Sequence, residues 1–566
     1  MIQIKEVAAE ILYQAVPEIS KNEFLEMLET PPNSELGEVA LACFKLSKQR
    51  RKAPPGIAKE FAEILKPNEV FEKIVAVGGY LNFFVNRENY MALILAEIAA
   101  QGETYGSKDV GEGRTICIDY SAPNIAKPFH VGHLYTTVIG NALYRMHQFM
   151  GYRVVGINHL GDWGTQFGKL ITAYKHWGNR EEISTGKVNA LVALYVKYHE
   201  EAEKDPALDD EARGWFVKLE DGDGEALELW QWFVDLSIVE FKKVYARLDI
   251  EFDSYAGESF YNDKMTPIIE ELKEKKLLVE SEGAMIVSLD EYDMPPCLLL
   301  KKDGSTLYAT RDIAAGFYRK QHYGFEKCLY VMGASQALHF KQWTKVVELM
   351  GYDWQKDCLH IPFGMVSIAG KKLATRTGVV ILLEDLFDEA VARTLEIIRE
   401  KSPRMENKEE TANQIGIGAI VFGYLSSNRI KDISFSWEDA LNFDGETGPY
   451  VQYAHARACS LIQSAAQQGA FACDVSLLDS NEEFQLVKLL SRFQETIFSA
   501  LKDYEPSFIT RYLVDVAQAF NRFYHEHKIL VDDVQLMQAR LALVDATRIV
   551  LCNGLHLIGI KAPQRV

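Results

Sequence analysis

The stretch "IDYSAPNIAKPFHVGHLYTTVIGNAL", Ile118 to Leu143, decides the fold. A strand-like apolar run ends at Asp119, a loop bracketed by Pro123 and Pro128 follows, and His130 and His133 stand three apart where a helical pattern begins. In that helix Leu134, Val138, Ala142, Met146 and Met150 recur every four residues beside Tyr135, Ile139 and Leu143, a stripe suited to packing on a sheet, with Gly151 placed to cap its end. "RVVGINHLGDWG" follows as a second strand-like run. Strand, helix and strand make a βαβ unit, so a parallel sheet is predicted, and its ligands bind beyond the carboxyl ends of the strands.

The two histidines fall at that corner. A helix amino terminus offers unpaired N–H groups and about half a positive charge, which suits phosphate. Imidazoles placed there donate hydrogen bonds as charge develops on phosphate oxygens. Gly132 between them removes a side chain where a planar base approaches, and Lys127 supplies a further cation.

Outward from this unit, residues 1–104 mix helical segments ("KEVAAEILYQAV", "PGIAKEFAEILK") with strand-like runs ("KIVAVGG", "YLNFFVN"), an α+β module. "GETYGSKDVGEGR", with glycines at 102, 106, 111 and 113, reads as a linker. Residues 105–394 read as an α/β, Rossmann-type parallel-sheet domain, interrupted by helical and acidic material from about 175 to 250. Sheet-like sequence resumes at "GAMIVSL", "KCLYVMGAS" and "CLHIPFGMVSI". From 395 to 566 long periodic segments such as "FQLVKLLSRFQETIFSALKDY" predict an all-α bundle.

Composition sets the bounds. At 566 residues about three domains are expected. The content, 48% hydrophobic and 25% charged, is that of a soluble globular chain; no run approaches the ~20 apolar residues of a membrane span, and the amino terminus lacks a signal-peptide pattern. A cytoplasmic protein with reduced cysteines is expected, since none of the eight cysteines stands at zinc-site spacing; no metal ligand set is predicted. The net charge of −19 argues against non-specific nucleic-acid binding but not against a specific RNA complex. Part of the acidity is local: Glu200 to Glu228 holds twelve acids against Lys204, Arg213 and Lys218, a solvated helical insertion facing away from any polyanion.

"SAPNIAKPFHVGHL" followed by "NHLGDWGTQFG" closely resembles the nucleotide-binding signature of class I aminoacyl-tRNA synthetases in the form used by the arginyl family. "DGSTLYATRDIAA", "YVMGASQALHF", "FGMVSIAGKKLATRTGVVILLEDLFDEA", "GPYVQYAHARA" and "NGLHLIGIKAPQRV" resemble it in the same order, so the likeness covers essentially the whole chain. It implies two-step charging of tRNA(Arg): L-arginine and ATP, with Mg2+, give arginyl adenylate, and the arginyl group passes to the 2′-hydroxyl of the terminal adenosine. It implies no prosthetic group. By this resemblance His130 and His133 stabilise the phosphates, with Lys127 beside them and Lys372 and Arg376 completing the ATP site. The family's mobile loop ordinarily carries a second lysine where Arg376 stands, and Lys127 is expected to compensate.

By the same resemblance Tyr308 and Asp312 contact the substrate guanidinium, while Asp119, Asn124 and Gln336 hold the rest of the amino acid. Guanidinium donors pair best with carboxylates, and Tyr308 and Asp312, four apart, share a face on a helix. A site of that kind rejects lysine or citrulline without an editing domain. The carboxyl-terminal helices resemble the anticodon-binding domain, with Tyr450, Tyr453 and Arg457 as candidate RNA contacts, and "NRIKD" (428–432) adds cations and an amide. The amino-terminal module resembles the domain that touches the tRNA elbow, with Asn82 and Phe84 on one strand face as candidates. A monomer is expected. Two other readings share the corner: a small adenylyltransferase, which has no need of flanking RNA-binding domains, and a non-catalytic tRNA-binding paralogue, which the atypical "KKLATRTG" favours.

Overall fold

The computed structural model describes residues 2–31, 33–127, 129–301, 306–368, 371–372, 382–442, 444–465 and 474–566. At its centre lies a four-stranded, wholly parallel sheet, in the order Cys358–Phe363, Lys327–Gly333, Thr115–Asp119, Arg153–Ile157. The chain builds outward from Thr115–Asp119 on one side and then crosses to the other. The reversal of strand order therefore falls between Thr115–Asp119 and Lys327–Gly333, the place where such sheets open a crevice.

The helix Val131–Phe149 connects Thr115–Asp119 to Arg153–Ile157. Its predicted stripe is in the core: Leu134, Val138, Ala142, Met146 and Met150 are all buried, and Gly151 takes φ +82° at the helix end. Only "KCLYVMGAS" and "CLHIPFGMVSI" return to the parallel sheet. "GAMIVSL" goes instead to a separate antiparallel sheet of Val279–Ser281, Ala284–Val287 and Cys297–Leu300, and Val366–Ile368 joins a third small sheet with Lys371–Lys372 and Ile433–Phe435. The acidic insertion forms helices Arg180–Ala202, Ala207–Glu220 and Gly224–Arg247.

The amino-terminal module is an antiparallel sheet flanked by helices Ile2–Ala15, Pro54–Ile64 and Arg87–Gln101. At the other end helices Lys408–Leu425, Gly448–Ser464, Ser507–Glu526 and Val534–Leu557 make the helical bundle. The helix Leu383–Lys401 runs through positions 394–395 and packs along Lys408–Leu425, so the chain passes into the bundle without a loop there. The bundle also holds the amino-terminal module: Tyr90 Oη donates to Ser491 Oγ at 2.6 Å, and Lys488 pairs with the buried Glu38 at 3.0 Å.

The glycine-rich stretch 102–114 is not a free linker. Tyr105 is buried and stacked on Phe493 (6.3 Å), Asn553 Nδ2 donates to the Gly102 and Tyr105 carbonyls, and the N–H groups of Val110 and Gly111 donate to Met150 O. One of its glycines serves close approach: a Cβ on Gly106 would lie 2.5 Å from the Phe493 ring.

Candidate functional site

The loop between Asp119 and the helix is held in a conformation it would not choose alone. Ser121, Ala122 and Ala126 all have positive φ (72°, 45° and 57°), a region costly for residues with a Cβ. Each is tied to a different element. Thr136 Oγ1 accepts from the Ser121 N–H, Asn158 Oδ1 from that of Ala122, and Ser237 Oγ, on the insertion helix Gly224–Arg247, from that of Ala126. The surrounding fold thus dictates the path that delivers His130.

His130 is the cap of the helix Val131–Phe149. Its Nδ1 accepts from the Gly132 N–H at 3.1 Å, and His133 Nδ1 accepts from the His130 N–H at 3.3 Å. The rings lie 4.0 Å apart at 30°. Burial lowers the pKa of His130, and that of His133 falls to about 3 through burial and the neighbouring charges of His130 and Lys127. Both rings are therefore neutral at physiological pH. Because each Nδ1 is used as an acceptor, each ring carries its proton on Nε2. The sequence thus builds two uncharged N–H donors at the mouth of a helix.

Gly132 has a structural reason beyond the approach of a base: a Cβ there would lie 2.9 Å from His130 Cε1. Gly132→Ala is expected to swing the His130 ring off its cap, with loss of about tenfold in kcat and a retained fold, checked by turnover beside a melting curve.

Lys127 is exposed on the loop. Arg376 lies outside the described residues, as does the side chain of Lys372. The flanking backbone is described: Leu382 bridges His130, and the Leu383 N–H donates to Phe129 O at 3.0 Å. The chain therefore re-enters directly beside the histidine pair.

Of the predicted amino-acid residues, Asp119, Asp312 and Asn124 each have a partner that the sequence did not reveal, while Tyr308 and Gln336 are exposed. Asp119 pairs with Arg319 Nη2 at 2.8 Å, and Arg319 is 1% exposed, with Nε and Nη1 buried and unpaired. Asp312 Oδ2 accepts from His339 Nε2 at 2.5 Å, a bond that raises the histidine's pKa. Asn124 bridges Gly161, where a Cβ would lie 2.3 Å from its Oδ1. Tyr308 opens the helix Tyr308–Tyr323 on Asp312's face and is 68% exposed. Gln336 is exposed just past the end of Lys327–Gly333.

One carboxylate of this cluster was missed. Glu258, in "GESFY", is largely buried, and its nearest cation, Arg311 Nη1, stands 3.7 Å from Oε2, beyond hydrogen-bond reach. Burial raises its pKa to about 7, opposed by the Arg311 charge and assisted by the charges of Asp162 and Asp312. Glu258 is thus a buried carboxylate whose one ion-pair partner, Arg311, stands too far off to hydrogen-bond it, which leaves its oxygens available to a closer donor. A lone glutamate beyond a helical insertion carries no spacing signal that would have marked it.

The RNA candidates divide. Tyr450, Tyr453 and Arg457 line one cleft of 490 Å³ together with Lys401, Arg522 and His525, and the Arg457 guanidinium lies 4.9 Å over Tyr453. On the amino-terminal sheet the surface expectation needs correction. Asn82 is 2% exposed in the middle of the sheet between Ala40 and Val75, and Phe84 is half-buried beneath Lys73 Nζ at 4.9 Å. "NRIKD" is similarly engaged: Tyr135 Oη donates to Arg429 O, and Asp432 accepts from the Met365 N–H.

A parallel sheet whose switch point faces a capped histidine pair, with a helical bundle behind it, defines a class I tRNA synthetase. Residues 94–437 match the family described as tRNA synthetases class I (R), catalytic domain; residues 451–566 match the DALR anticodon binding domain, and 3–85 the arginyl tRNA synthetase N terminal domain. The arginine–tRNA ligases of Alkaliphilus metalliredigens and Clostridioides difficile are 57% and 51% identical over 566 residues, 100% of this chain and of each relative. The Thermus thermophilus arginyl-tRNA synthetase superposes with a TM-score of 0.83 at 24% identity, covering 99% of this chain and 100% of that one. The chain belongs to the arginyl-tRNA synthetase family.

Proposed function

We infer that the chain charges tRNA(Arg): it activates L-arginine with ATP and passes the arginyl group to the 2′-hydroxyl of the terminal adenosine. The observation that carries this is the juxtaposition of two neutral N–H donors with a carboxylate cluster across one crevice. The Nε2–H groups of His130 and His133 meet the triphosphate and strengthen their bonds as pyrophosphate leaves, with Lys127, Lys372 and Arg376 as the accompanying cations and Mg2+ entering as part of the nucleotide substrate. Asp312 and Glu258 receive the guanidinium, Tyr308 covers it, and Asp119, Asn124 and Gln336 hold the α-amino and carboxylate end. Alignment of the two substrates supplies much of the acceleration, with no protein nucleophile. Tyr450, Tyr453 and Arg457 provide the anticodon contact, and Phe84 the elbow contact. The working division is residues 1–104, 105–394 and 395–566. Among the described residues no helix is long and apolar enough to cross a membrane. A cytoplasmic monomer fits this reading.

The reading has a pH signature. A guanidinium pairs with the ionised form of Glu258, yet burial holds that carboxyl protonated up to about pH 7. Below that pH arginine must displace a proton, so the arginine KM is expected to rise about tenfold per unit between pH 7 and pH 5.5, while the ATP KM stays level. A flat arginine KM over that range would remove Glu258 from the pocket.

A further inference from the structure

Resting on the assignment of Glu258 to the guanidinium, we propose that Asp162, in "NHLGDWG", is the positioning residue that sets that carboxylate in the pocket. Asp162 is 5% exposed. Its Oδ1 accepts from the Ser259 N–H at 2.8 Å and its Oδ2 from Ser259 Oγ at 2.6 Å. On the other side of Glu258 the chain has no side chain at all: a Cβ on Gly257 would lie 2.7 Å from Cγ, Oδ1 and Oδ2 of Asp162. Residues 257–259 are thus wrapped around one carboxylate. The Glu258 N–H is itself held by Leu160 O at 2.9 Å, so the backbone is fixed on both sides of the residue by the segment 160–162.

The clamp is anchored in turn. Trp230 Nε1, on the insertion helix Gly224–Arg247, donates to the Asp162 carbonyl at 2.7 Å. Upstream, the segment carrying Glu258 runs along the end of the strand Arg153–Ile157: the Asn158 N–H donates to Ser254 O at 2.9 Å, and the Gly156 N–H to Asp253 Oδ2 at 2.7 Å. A carboxylate buried this deeply is costly unless hydrogen-bonded, and Asp162 spends both oxygens on a residue adjacent to Glu258. Asp162 need not touch arginine to act: removing it frees the turn, and a displacement of about 1 Å at a binding group is enough to lose most of a charge-assisted contact.

The test is a double-mutant cycle read in aminoacylation of tRNA(Arg) by the full chain. Asp162→Ala is expected to raise the arginine KM about 10- to 50-fold with the ATP KM within about twofold. Asp162→Asn, which still accepts the Ser259 N–H, is expected to stay within about fivefold of the parent. In a Glu258→Ala background, adding Asp162→Ala is expected to change the arginine KM less than about twofold, because the group it positions is gone. Full multiplication of the two effects, or an equal rise in the ATP KM, overturns the proposal. An unchanged arginine KM in Asp162→Ala beside a raised one in Glu258→Ala overturns the clamp alone; an unchanged KM in Glu258→Ala overturns the pocket assignment on which it rests. Should Asp162→Ala fail to fold, Ser259→Ala carries the same cycle, with an expected rise of about fivefold that vanishes in the Glu258→Ala background.

Discussion

His133→Ala lowers arginyl-adenylate formation by about 10²- to 10³-fold and leaves tRNA(Arg) affinity unchanged. The magnitude is that of deleting one preorganised donor aimed at developing charge, about 3–4 kcal/mol of transition-state stabilisation. His133 suits that role because burial lowers its pKa to about 3, so in the free chain its ring is neutral across the physiological range and presents an Nε2–H donor. The same substitution removes the acceptor for the His130 N–H, so the remaining His130 ring loses order as well, and the loss is expected to exceed that of Gly132→Ala. Parallel measurement of single-turnover adenylate formation and of tRNA binding checks this. Equal losses in both would make His133 a structural residue.

Asp312→Ala raises the arginine KM by about a hundredfold while the ATP KM moves by no more than a few-fold. Asp312 and His339 are each about a quarter exposed, and a bound guanidinium would cover them; truncating one partner of a charge pair so enclosed costs about 2–5 kcal/mol, on the order of 10²-fold, because the remaining charge is left uncompensated. Here two remain: the bound guanidinium and His339, whose Nε2–H donates to Asp312 at 2.5 Å. The damage should be specific to the guanidinium end of the substrate, so discrimination against lysine and citrulline is expected to weaken with it. An arginine KM equal to that of the parent would remove Asp312 from the pocket.

The parts legible in the sequence are those encoded locally. The βαβ unit was readable because one helix turn repeats its apolar face, and the histidine pair because a cap and its partner lie three residues apart. The partners of the pocket were not readable for the opposite reason. Asp119 with Arg319 and Asp162 with Ser259 are pairings across a large helical insertion, and Asp312 with His339 joins two helices flanking a strand; no period in the chain records them. Two local readings were overturned by packing. The glycines of 102–114 resemble a linker, yet Gly106 is there to admit the Phe493 ring. Asn82 alternates properly with Phe84 along its strand, but the strand is interior to its sheet, so the amide has almost no surface.

The central claim is that this crevice activates arginine, and ATP–pyrophosphate exchange tests it most directly. With the purified chain, magnesium ATP and L-arginine, exchange is expected when tRNA(Arg) is present. Absence of exchange with arginine and tRNA(Arg) both present, in a preparation that binds the tRNA, would contradict the account.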